Sequence, residues 1–309
     1  MAKVEIIETT YGNFGNCVKI SNGIIELYVT TDFGPRIIHF SRVGMENIMY
    51  NDVKHTPLGD PIEVFGGDVH KLYGGHRLWI SPEILPRCYH PDNDKVAVTK
   101  IKNGAEFAAT VEKNNGIQKI MTIVVSEGSE SVTVEHTIKN VGLWEIELAP
   151  WCLTVMAAGG IEIMPQTNDE TGFLNNRNFS FWSYSDMSDD RVRFGKNFIF
   201  MKQETGHETP YKLGYNNTSG WGAYFISGQA FVKSFDPIED GFYPDDGCCY
   251  ETYTNEVMLE VETLGEITII PPGEEVVHVE EWELYEEANP PKITDDEAMV
   301  KKIIDKYVK

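Results

Sequence analysis

The sequence predicts an all-β protein in which many short antiparallel strands form one large β-sandwich. Apolar and polar residues alternate along short segments over most of the chain, a pattern typical of strands with one buried face. Turn sequences such as KNNG, SEGSE, KNVG and PDDG separate these segments. The sequence has no fixed-period repeat and no low-complexity tract. We therefore expect a single domain over residues 1–309, with the sandwich at about residues 1–288.

Three stretches show the strand pattern clearly. In SVTVEHTIK, residues 131–139, Val132, Val134 and Ile138 share one face, and the polar residues share the other. NGIIELYVTTDFGPRIIHF predicts two strands separated at DFGP, and GEITIIPPGEEVVHVEEWEL predicts two more separated at PPGE. By contrast, residues 168–212 are rich in Asn, Asp, Ser and aromatic residues and have weak periodicity. There we expect long loops with short strands that cover one end of a cleft.

The C-terminus predicts a helix at about residues 294–307 that packs on the sandwich. Thr294 and Glu297 have the spacing of a T-x-x-E capping box, and Ile293 and Ala298 have that of a hydrophobic staple. We assign this helix a structural role. Five apolar residues repeat on one of its faces: Met299, Val300, Ile303, Ile304 and Tyr307.

Composition and charge exclude several classes of protein. With 41% hydrophobic residues and 11% aromatic residues, the chain can form a large core. Its formal net charge of −22 favours solubility and repels phosphate backbones and anionic lipids, so we expect neither nucleic acid nor a membrane surface as partner. The N-terminus lacks the apolar region of a signal peptide, and no run approaches the ~18 apolar residues of a membrane span. We therefore expect a cytoplasmic protein.

The sequence lacks the usual signatures of metal and cofactor sites. The five cysteines are odd in number, two are adjacent and none forms a C-x-x-C, which argues against a disulfide framework and a zinc ribbon. The motifs G-x-x-x-x-G-K-[ST], H-E-x-x-H and G-x-S-x-G are absent as well. GDVHKLYGGH offers His70 and His76, but no obvious third ligand follows. We predict neither a cofactor nor a bound metal.

Polar side chains scattered among aromatic residues indicate a carbohydrate site. Sugars stack their C–H faces on aromatic rings, and their hydroxyls need paired donors and acceptors. The core of a sandwich also contains aromatic residues, so composition alone leaves the structural explanation open. The candidate residues, in chain order, are Arg36, His76, Arg77, Trp151, Lys212 and Tyr253.

The segment EVMLEVETL strengthens the carbohydrate hypothesis. If Leu259 and Val261 face the core, Glu260 and Glu262 face the opposite side of the strand. A solvent-facing sheet would also explain these glutamates, but the apolar residues beside them fit a concave, partly covered sheet better. Desolvation in such a place would raise the pKa of a carboxyl group, which suits a general base.

Three motifs together resemble the galactose mutarotase-like, or aldose 1-epimerase, superfamily. FGPRIIHFSRVGMENIMY is similar to the opening of these proteins, LYGGHRLWISPE to their histidine–glycine segment, and VETLGEITIIPPGEEVVHVEEWEL to their end. The order and spacing of the motifs match over roughly residues 20–285. The resemblance implies a β-supersandwich that binds sugars on its concave sheet. The chain resembles a branch distinct from the true mutarotases.

The resemblance also implies roles for individual residues. His76 matches the family's substrate-binding histidine, and Glu262 best matches its catalytic glutamate, with Glu260 as the alternative. The family's second histidine acts as general acid at the ring oxygen, and Trp151 stands at its expected position. An indole N–H donates a hydrogen bond but does not release its proton at neutral pH. His76 or an ordered water would then be the acid, and a binding-only role for His76 is equally open.

These residues are compatible with three functions. The first is an aldose 1-epimerase-like isomerase that acts on the anomeric centre of a sugar by general acid/base proton transfer. The second is a non-catalytic carbohydrate-binding protein, and the third is a glycan-cleaving enzyme that uses Glu260 and Glu262. The third ranks last because carboxylates two residues apart on a strand, ~6.6–7 Å, point the same way and cannot flank a bond. In each case the partner is a small sugar or sugar derivative.

The carbohydrate hypothesis predicts how the candidate side chains are arranged in space. We expect His76, Arg77 and Glu262 to converge in one concave pocket. A phosphorylated sugar would need at least two clustered cations, which the arginines and the lysine among the candidates could supply. Four further residues are expected in the pocket wall: Arg36, Trp151, Lys212 and Tyr253.

Overall fold

The structure, a computed structural model, describes residues 3–308. Its 21 strands form two antiparallel sheets, which confirms the predicted all-β sandwich. The larger sheet has 11 strands: β1 Glu5–Thr10, β2 Asn16–Ser21, β3 Ile25–Thr30, β4 Ile37–Arg42, β5 Gly75–Ser81, β10 Ile146–Ala157, β12 Phe179–Phe181, β15 Tyr211–Tyr215, β18 Tyr250–Thr254, β19 Met258–Leu264 and β20 Thr268–Ile270. The smaller sheet has 10 strands: β6 Ala97–Ile101, β7 Gly104–Ala108, β8 Ile117–Val125, β9 Ser131–Asn140, β11 Ile161–Pro165, β13 Val192–Phe194, β14 Phe198–Lys202, β16 Trp221–Ile226, β17 Gln229–Phe235 and β21 Glu275–Glu286.

The strand order of the larger sheet brings distant segments together. From edge to edge the order is β1-β2-β3-β4-β5-β10-β19-β18-β15-β12, and β20 pairs with the start of β10. The long strand β10 therefore lies between β5 and β19. The smaller sheet has the order β13-β14-β11-β16-β17-β21-β9-β8-β7-β6. As a result, three segments that are far apart in the sequence form the centre of the larger sheet.

The predicted strands occur where their patterns indicated. β9 covers SVTVEHTIK, and DFGP separates β3 from β4. PPGE separates β20 from β21, but these two strands belong to different sheets, because β20 pairs with β10 while β21 pairs with β9 and β17. Residues 168–212 contain the short strands β12, β13 and β14 within loops, as predicted.

The main core lies between the two sheets. Both inner faces contribute apolar side chains with no exposed surface, among them Leu27, Phe40, Val134, Leu259 and Trp282. These residues alternate with residues that point to the outer faces, as expected for packed sheets. The outer face of the smaller sheet carries a second apolar cluster, which includes side chains of the C-terminal helix.

Residues 3–308 include two α-helices: α1 Pro244–Gly247, a single turn between β17 and β18, and α2 Glu297–Ile304. Helix α2 packs Val300, Ile303 and Ile304 on the smaller sheet, which confirms the predicted docking. Met299, predicted on the packed face, is 52% exposed instead.

The predicted N-terminal cap of helix α2 is wrong. Asp296 rather than Thr294 is the cap, and its Oδ1 accepts a hydrogen bond from the Ala298 backbone N–H at 2.8 Å. A capping box would need the Glu297 side chain to turn back to the cap residue. Glu297 instead accepts a hydrogen bond from the side-chain amide of Asn197 at 2.7 Å, so a tertiary contact overrides the local motif.

The remaining helical segments are short. Three 3-10 helices lie in loops, at Gly12–Phe14, Glu63–Phe65 and Arg87–Tyr89. No helix among residues 3–308 is long and apolar enough to cross a membrane.

Candidate functional site

A pocket of about 1070 Å³ opens over the central strands of the larger sheet, on the face turned away from the core. Among its charged side chains are Arg77, Lys212 and Glu260. Apolar walls with a few charged groups are typical of small-molecule sites. Six aromatic side chains line the pocket: Trp79, Tyr89, Trp151, Trp182, Tyr184 and Tyr253.

Strand alternation explains which side chains reach the pocket. Arg77 and Trp79 of β5 line it, whereas Leu78 between them lies in an interior apolar cluster. The register then aligns the neighbouring strands. Arg77 pairs with Leu153 of β10, and Leu153 pairs with Glu262 of β19. Residues from distant parts of the chain therefore lie side by side at the base of the pocket.

Arg77 and Glu260 form an ion pair in the pocket wall. Nη1 of Arg77 lies 3.2 Å from Oε1 of Glu260. The guanidinium carbon of Arg77 lies 4.5 Å from the centre of the Trp79 ring. Arg77 is 5% exposed and Glu260 is 7% exposed, so the pair is largely withdrawn from bulk water. Their remaining donors and acceptors can serve a ligand.

Lys212 connects two glutamates beneath the pocket. Its Nζ lies 2.7 Å from Oε2 of Glu251 and 3.4 Å from Oε2 of Glu262. The indole Nε1–H of Trp151 also donates a hydrogen bond to Oε2 of Glu262 at 2.7 Å. Glu251 and Glu262 pair across β18 and β19, and neither has exposed surface. Both glutamates therefore lie under the floor of the pocket.

Burial and neighbouring charges shift the pKa values of Glu262, Glu251 and Lys212. Burial raises the pKa of Glu262 above its ordinary value; Lys212 opposes this rise and Glu260 adds to it. Burial also raises the pKa of Glu251 well above its ordinary value, again against the effect of Lys212. Burial alone would lower the pKa of Lys212, but Glu262 and Glu251 outweigh it and raise that pKa. Desolvation thus acts on Glu262 in the direction expected for a buried carboxyl group.

Three residues of the stretch 168–212 line the pocket: Trp182, Tyr184 and Lys212. Nζ of Lys212 lies 4.6 Å from the centre of the Trp151 ring and 4.4 Å from that of Trp182. Trp182 and Tyr184 belong to the loop after β12 and line the pocket. Ser185 fixes this loop to β15 through hydrogen bonds of 2.8 and 2.9 Å with the backbone of Lys212.

His76 does not lie in the pocket. Because it precedes Arg77 on the same strand, it points to the interior and has no exposed surface. Its Nδ1 lies 2.9 Å from Oγ1 of Thr154, and its Nε2 lies 2.6 Å from Nε2 of His136. The expected convergence of His76 with Arg77 and Glu262 is therefore wrong. Burial lowers the pKa of His76 well below its ordinary value, which favours the neutral ring.

His76 belongs to a polar cluster between the sheets that is centred on Glu280. Nζ of Lys233 lies 2.8 Å from Oε1 of Glu280 and supplies the positive charge that a metal ion would bring. The cluster is therefore a buried polar network in which the charge of Lys233 balances that of Glu280. Two sets of potential metal ligands, each with donor atoms within 4.8 Å of one another, occur here: His76, His136 and Glu280, and Cys152, His278 and Glu280.

Arg36 supports the pocket from behind and is not part of its wall, so its predicted position is wrong. Arg36 has no exposed surface. Its Nε and Nη2 donate to the two carboxylate oxygens of Asp92 at 2.7 and 3.1 Å. Its Nη1 donates to the backbone carbonyl of Leu72 at 2.8 Å, and Leu72 lines the pocket. The buried ion pair therefore holds two loops in place.

The structure brings most of the other candidates together. Alternation also explains two residues that sequence reasoning missed: Trp79 lies two positions after Arg77, and Glu251 lies two positions before Tyr253. Trp182 comes from a loop, where no periodic pattern indicates which way a side chain points. The candidates that line the pocket or lie directly beneath it are Arg77, Trp151, Lys212, Tyr253, Glu260 and Glu262.

Comparison with known proteins detects similarity at the level of the fold. No protein-family model matches the sequence, and no curated protein matches it. A galactose mutarotase-like protein from Clostridium acetobutylicum superposes with a TM-score of 0.55 and 12% identity, over 92% of this chain and 99% of its own. A putative mutarotase from Salmonella typhimurium also has a TM-score of 0.55 and 12% identity, over 92% of this chain and 97% of its own.

A third solved structure matches over part of its length. A TPR-domain containing protein from Parabacteroides distasonis superposes with a TM-score of 0.59 and 12% identity, over 91% of this chain and 48% of its own. This chain therefore spans about half the length of that protein. Together with the two-sheet architecture, these matches show that the chain has the fold of the galactose mutarotase-like proteins.

Proposed function

We propose that the pocket binds a carbohydrate, either a small sugar or a sugar derivative. The observation that carries this proposal is a single cavity with aromatic walls and Arg77, Lys212 and Glu260 among them. Aromatic rings stack on the C–H faces of sugars, and the charged groups provide donors and acceptors for hydroxyls. The galactose mutarotase-like fold is consistent with this function.

A thermal-shift screen with a sugar library tests the proposal. A ligand that binds only the folded state raises the melting temperature by mass action. We expect at least one sugar to raise it in a concentration-dependent way, and ligand-observed NMR to report direct binding of the same sugar. The proposal fails if no library member shifts the melting temperature at concentrations up to about 10 mM.

A second candidate function is aldose 1-epimerase-like proton transfer with Glu262 as the base. Two features of Glu262 favour it: its pKa is raised, and its Oε1 is buried with no hydrogen-bond partner among residues 3–308. A base with a pKa closer to neutral takes the anomeric hydroxyl proton more efficiently. Because Glu262 has no exposed surface, the side chains between it and the pocket must move aside before it reaches the sugar. An ordered water would then protonate the ring oxygen, since His76 faces the interior.

NMR exchange between α and β anomers tests this second function on whichever sugar binds. Glu262→Gln keeps the size and one acceptor of the side chain but cannot take a proton. We expect binding within a few-fold of the wild type and exchange slowed by roughly 10²–10⁴. Glu26→Gln, the same change on β3 outside the pocket, is the matched control and should retain the exchange rate. If the wild type does not accelerate exchange of a sugar that it binds, mutarotation of that sugar is excluded and the binding function remains.

A further inference from the structure

The loops around the pocket supply apolar side chains at its rim. The base of the pocket is formed by strands, and its cations Arg77 and Lys212 are each only 5% exposed. Leu58 and Ile62 belong to the loop between β4 and β5, and Leu85 belongs to the loop after β5. The pocket therefore has a polar base and, at its rim, apolar surface from two loops.

Leu85 is the most accessible of these apolar residues, because it is 69% exposed although its loop is anchored. The backbone N–H of Cys88 donates to the carbonyl of Ile84 at 3.0 Å, and the Cys88 side chain is fully buried. The side-chain amide of Asn115 donates to the carbonyl of Arg87 at 2.9 Å. The loop therefore holds a large apolar side chain in contact with water, where a ligand can cover it.

The loop between β4 and β5 adds to this surface. The backbone N–H of Leu58 donates to the carbonyl of His70 at 2.8 Å, and that of Ile62 donates to the carbonyl of Asp68 at 3.1 Å. Leu58, Ile62 and Leu85 line one pocket, and we call them the apolar rim. Single exposed apolar residues are common on proteins, but several around one pocket are typical of a binding surface.

The charge and the volume of the pocket restrict the group that the apolar rim can bind. Asp60 and Glu83 also line the pocket, and together with Glu260 they outnumber Arg77 and Lys212, which disfavours an anionic group. The volume of about 1070 Å³ is at the upper end of the range for drug-sized ligands, which are larger than one sugar ring. The pocket therefore has room for an uncharged group beside the sugar.

We propose that the ligand of this pocket is a glycoside with a neutral, apolar aglycone, whose sugar binds at the base and whose aglycone packs on the apolar rim. This proposal rests on the proposed carbohydrate function and names the chemical class of the ligand. The base offers donors and acceptors to the hydroxyls, and burial of apolar surface at the rim stabilises the complex. A glycoside has no proton on its anomeric oxygen, so such a ligand suits the binding function and is not a substrate for the proton transfer.

Matched glycosides test the proposal by titration calorimetry at about pH 7. The panel consists of the methyl and phenyl glycosides of glucose, galactose and mannose, each as the α and the β anomer, together with cellobiose and lactose. We expect at least one phenyl glycoside to bind at least tenfold more tightly than the methyl glycoside of the same sugar and anomer, and more tightly than either disaccharide. Its heat capacity change on binding should also be more negative than that of the methyl glycoside, because more apolar surface is buried.

Leu85→Asn assigns the preference to the apolar rim. The change replaces apolar surface by an amide of similar size, and because Leu85 is exposed the melting temperature should stay close to that of the wild type. The phenyl glycoside should bind at least threefold more weakly, whereas the affinity for the methyl glycoside should stay within twofold. Leu143→Asn is the matched control, since Leu143 is 84% exposed in the loop between β9 and β10. It should bind both glycosides as the wild type does.

The outcomes separate this inference from the function on which it rests. If methyl and phenyl glycosides bind equally well, or a disaccharide binds more tightly than every phenyl glycoside, the inference is overturned and the carbohydrate function stands. The inference is also overturned if Leu85→Asn keeps the full preference, or if Leu143→Asn loses it to the same extent. If neither a glycoside nor a disaccharide binds, both proposals fail. Should Leu85→Asn not fold, the heat capacity changes of the wild type decide.

Discussion

Glu162 of β11 connects the smaller sheet to the larger one through two hydrogen bonds. The hydroxyl groups of Tyr250 and Thr252 donate to its two carboxylate oxygens, each at 2.6 Å. The side chain is fully buried, and burial raises its pKa from 4.5 to about 8 although the two hydrogen bonds oppose the rise. Glu162 therefore holds a proton in the folded protein at pH values where the unfolded chain has released it.

Glu162→Gln should remove one pH-dependent contribution to stability. The folded pKa lies above the unfolded one, so this contribution is complete below about pH 4.5 and is lost as the pH rises to about 8. Relative to the variant, the wild type should lose about 1.4 kcal/mol of unfolding free energy per pH unit within this window. Urea unfolding of both proteins at about pH 5.5, 6.5 and 7.5 measures the difference. A difference that stays constant over this range would show that Glu162 does not titrate there.

His76→Ala should affect stability and leave ligand binding intact. His76 is fully buried, its two ring nitrogens contact Thr154 and His136, and its ring packs 4.8 Å from that of Trp282. Removal of the ring leaves a cavity and unpaired polar groups, which should cost about 3 kcal/mol or more of unfolding free energy. Urea unfolding measures this loss, and a titration below the unfolding transition should give a ligand affinity within twofold of the wild type. If the variant binds the ligand more weakly while its stability is unchanged, His76 belongs to the binding site.

At the scale of single elements, the periodic pattern predicts which face of a strand is buried but not the neighbours of that strand. β19 shows this clearly, because the alternation of EVMLEVETL correctly separates Val261 from Glu262. Its pairing with β10 and β18 depends on hydrogen bonds between segments far apart in the chain, about which a local pattern says nothing. The cap of helix α2 differs from the prediction for the same reason, since the contact between Glu297 and Asn197 is tertiary.

Helix α2 should contribute to stability through its buried face. Ile303 is 7% exposed and packs against the outer face of the smaller sheet. Ile303→Ala should therefore cost about 2–4 kcal/mol of unfolding free energy. Met299→Ala is the matched control on the same helix, and since Met299 is 52% exposed it should change stability by less than about 0.5 kcal/mol. Equal effects of the two changes in urea unfolding would mean that the helix does not dock through this face.

For the whole molecule, the sequence predicts the fold more completely than it predicts the site. Many alternating segments with turn sequences between them suffice to predict the sandwich. The alternation within each strand indicates which of its faces is buried, without information from other strands. The pocket depends on how the strands are ordered, which places Arg77, Glu260 and Lys212 from three distant segments together. The family resemblance places His76 in the site, but His76 and Arg77 are consecutive on β5 and therefore point to opposite faces of the sheet. The loop that contributes Trp182 carries no periodic signal for its orientation.

Two tryptophan variants test whether a sugar binds over the larger sheet. Trp182 lines the pocket and lies against Lys212, whereas Trp144 lies in the loop between β9 and β10 and is 80% exposed. Calorimetric titration of the sugar that binds most tightly should show at least a tenfold loss of affinity for Trp182→Ala, because a stacking surface is removed. For Trp144→Ala the affinity should stay within twofold of the wild type. Unchanged affinity in Trp182→Ala, or an equal loss in both variants, would contradict binding in this pocket.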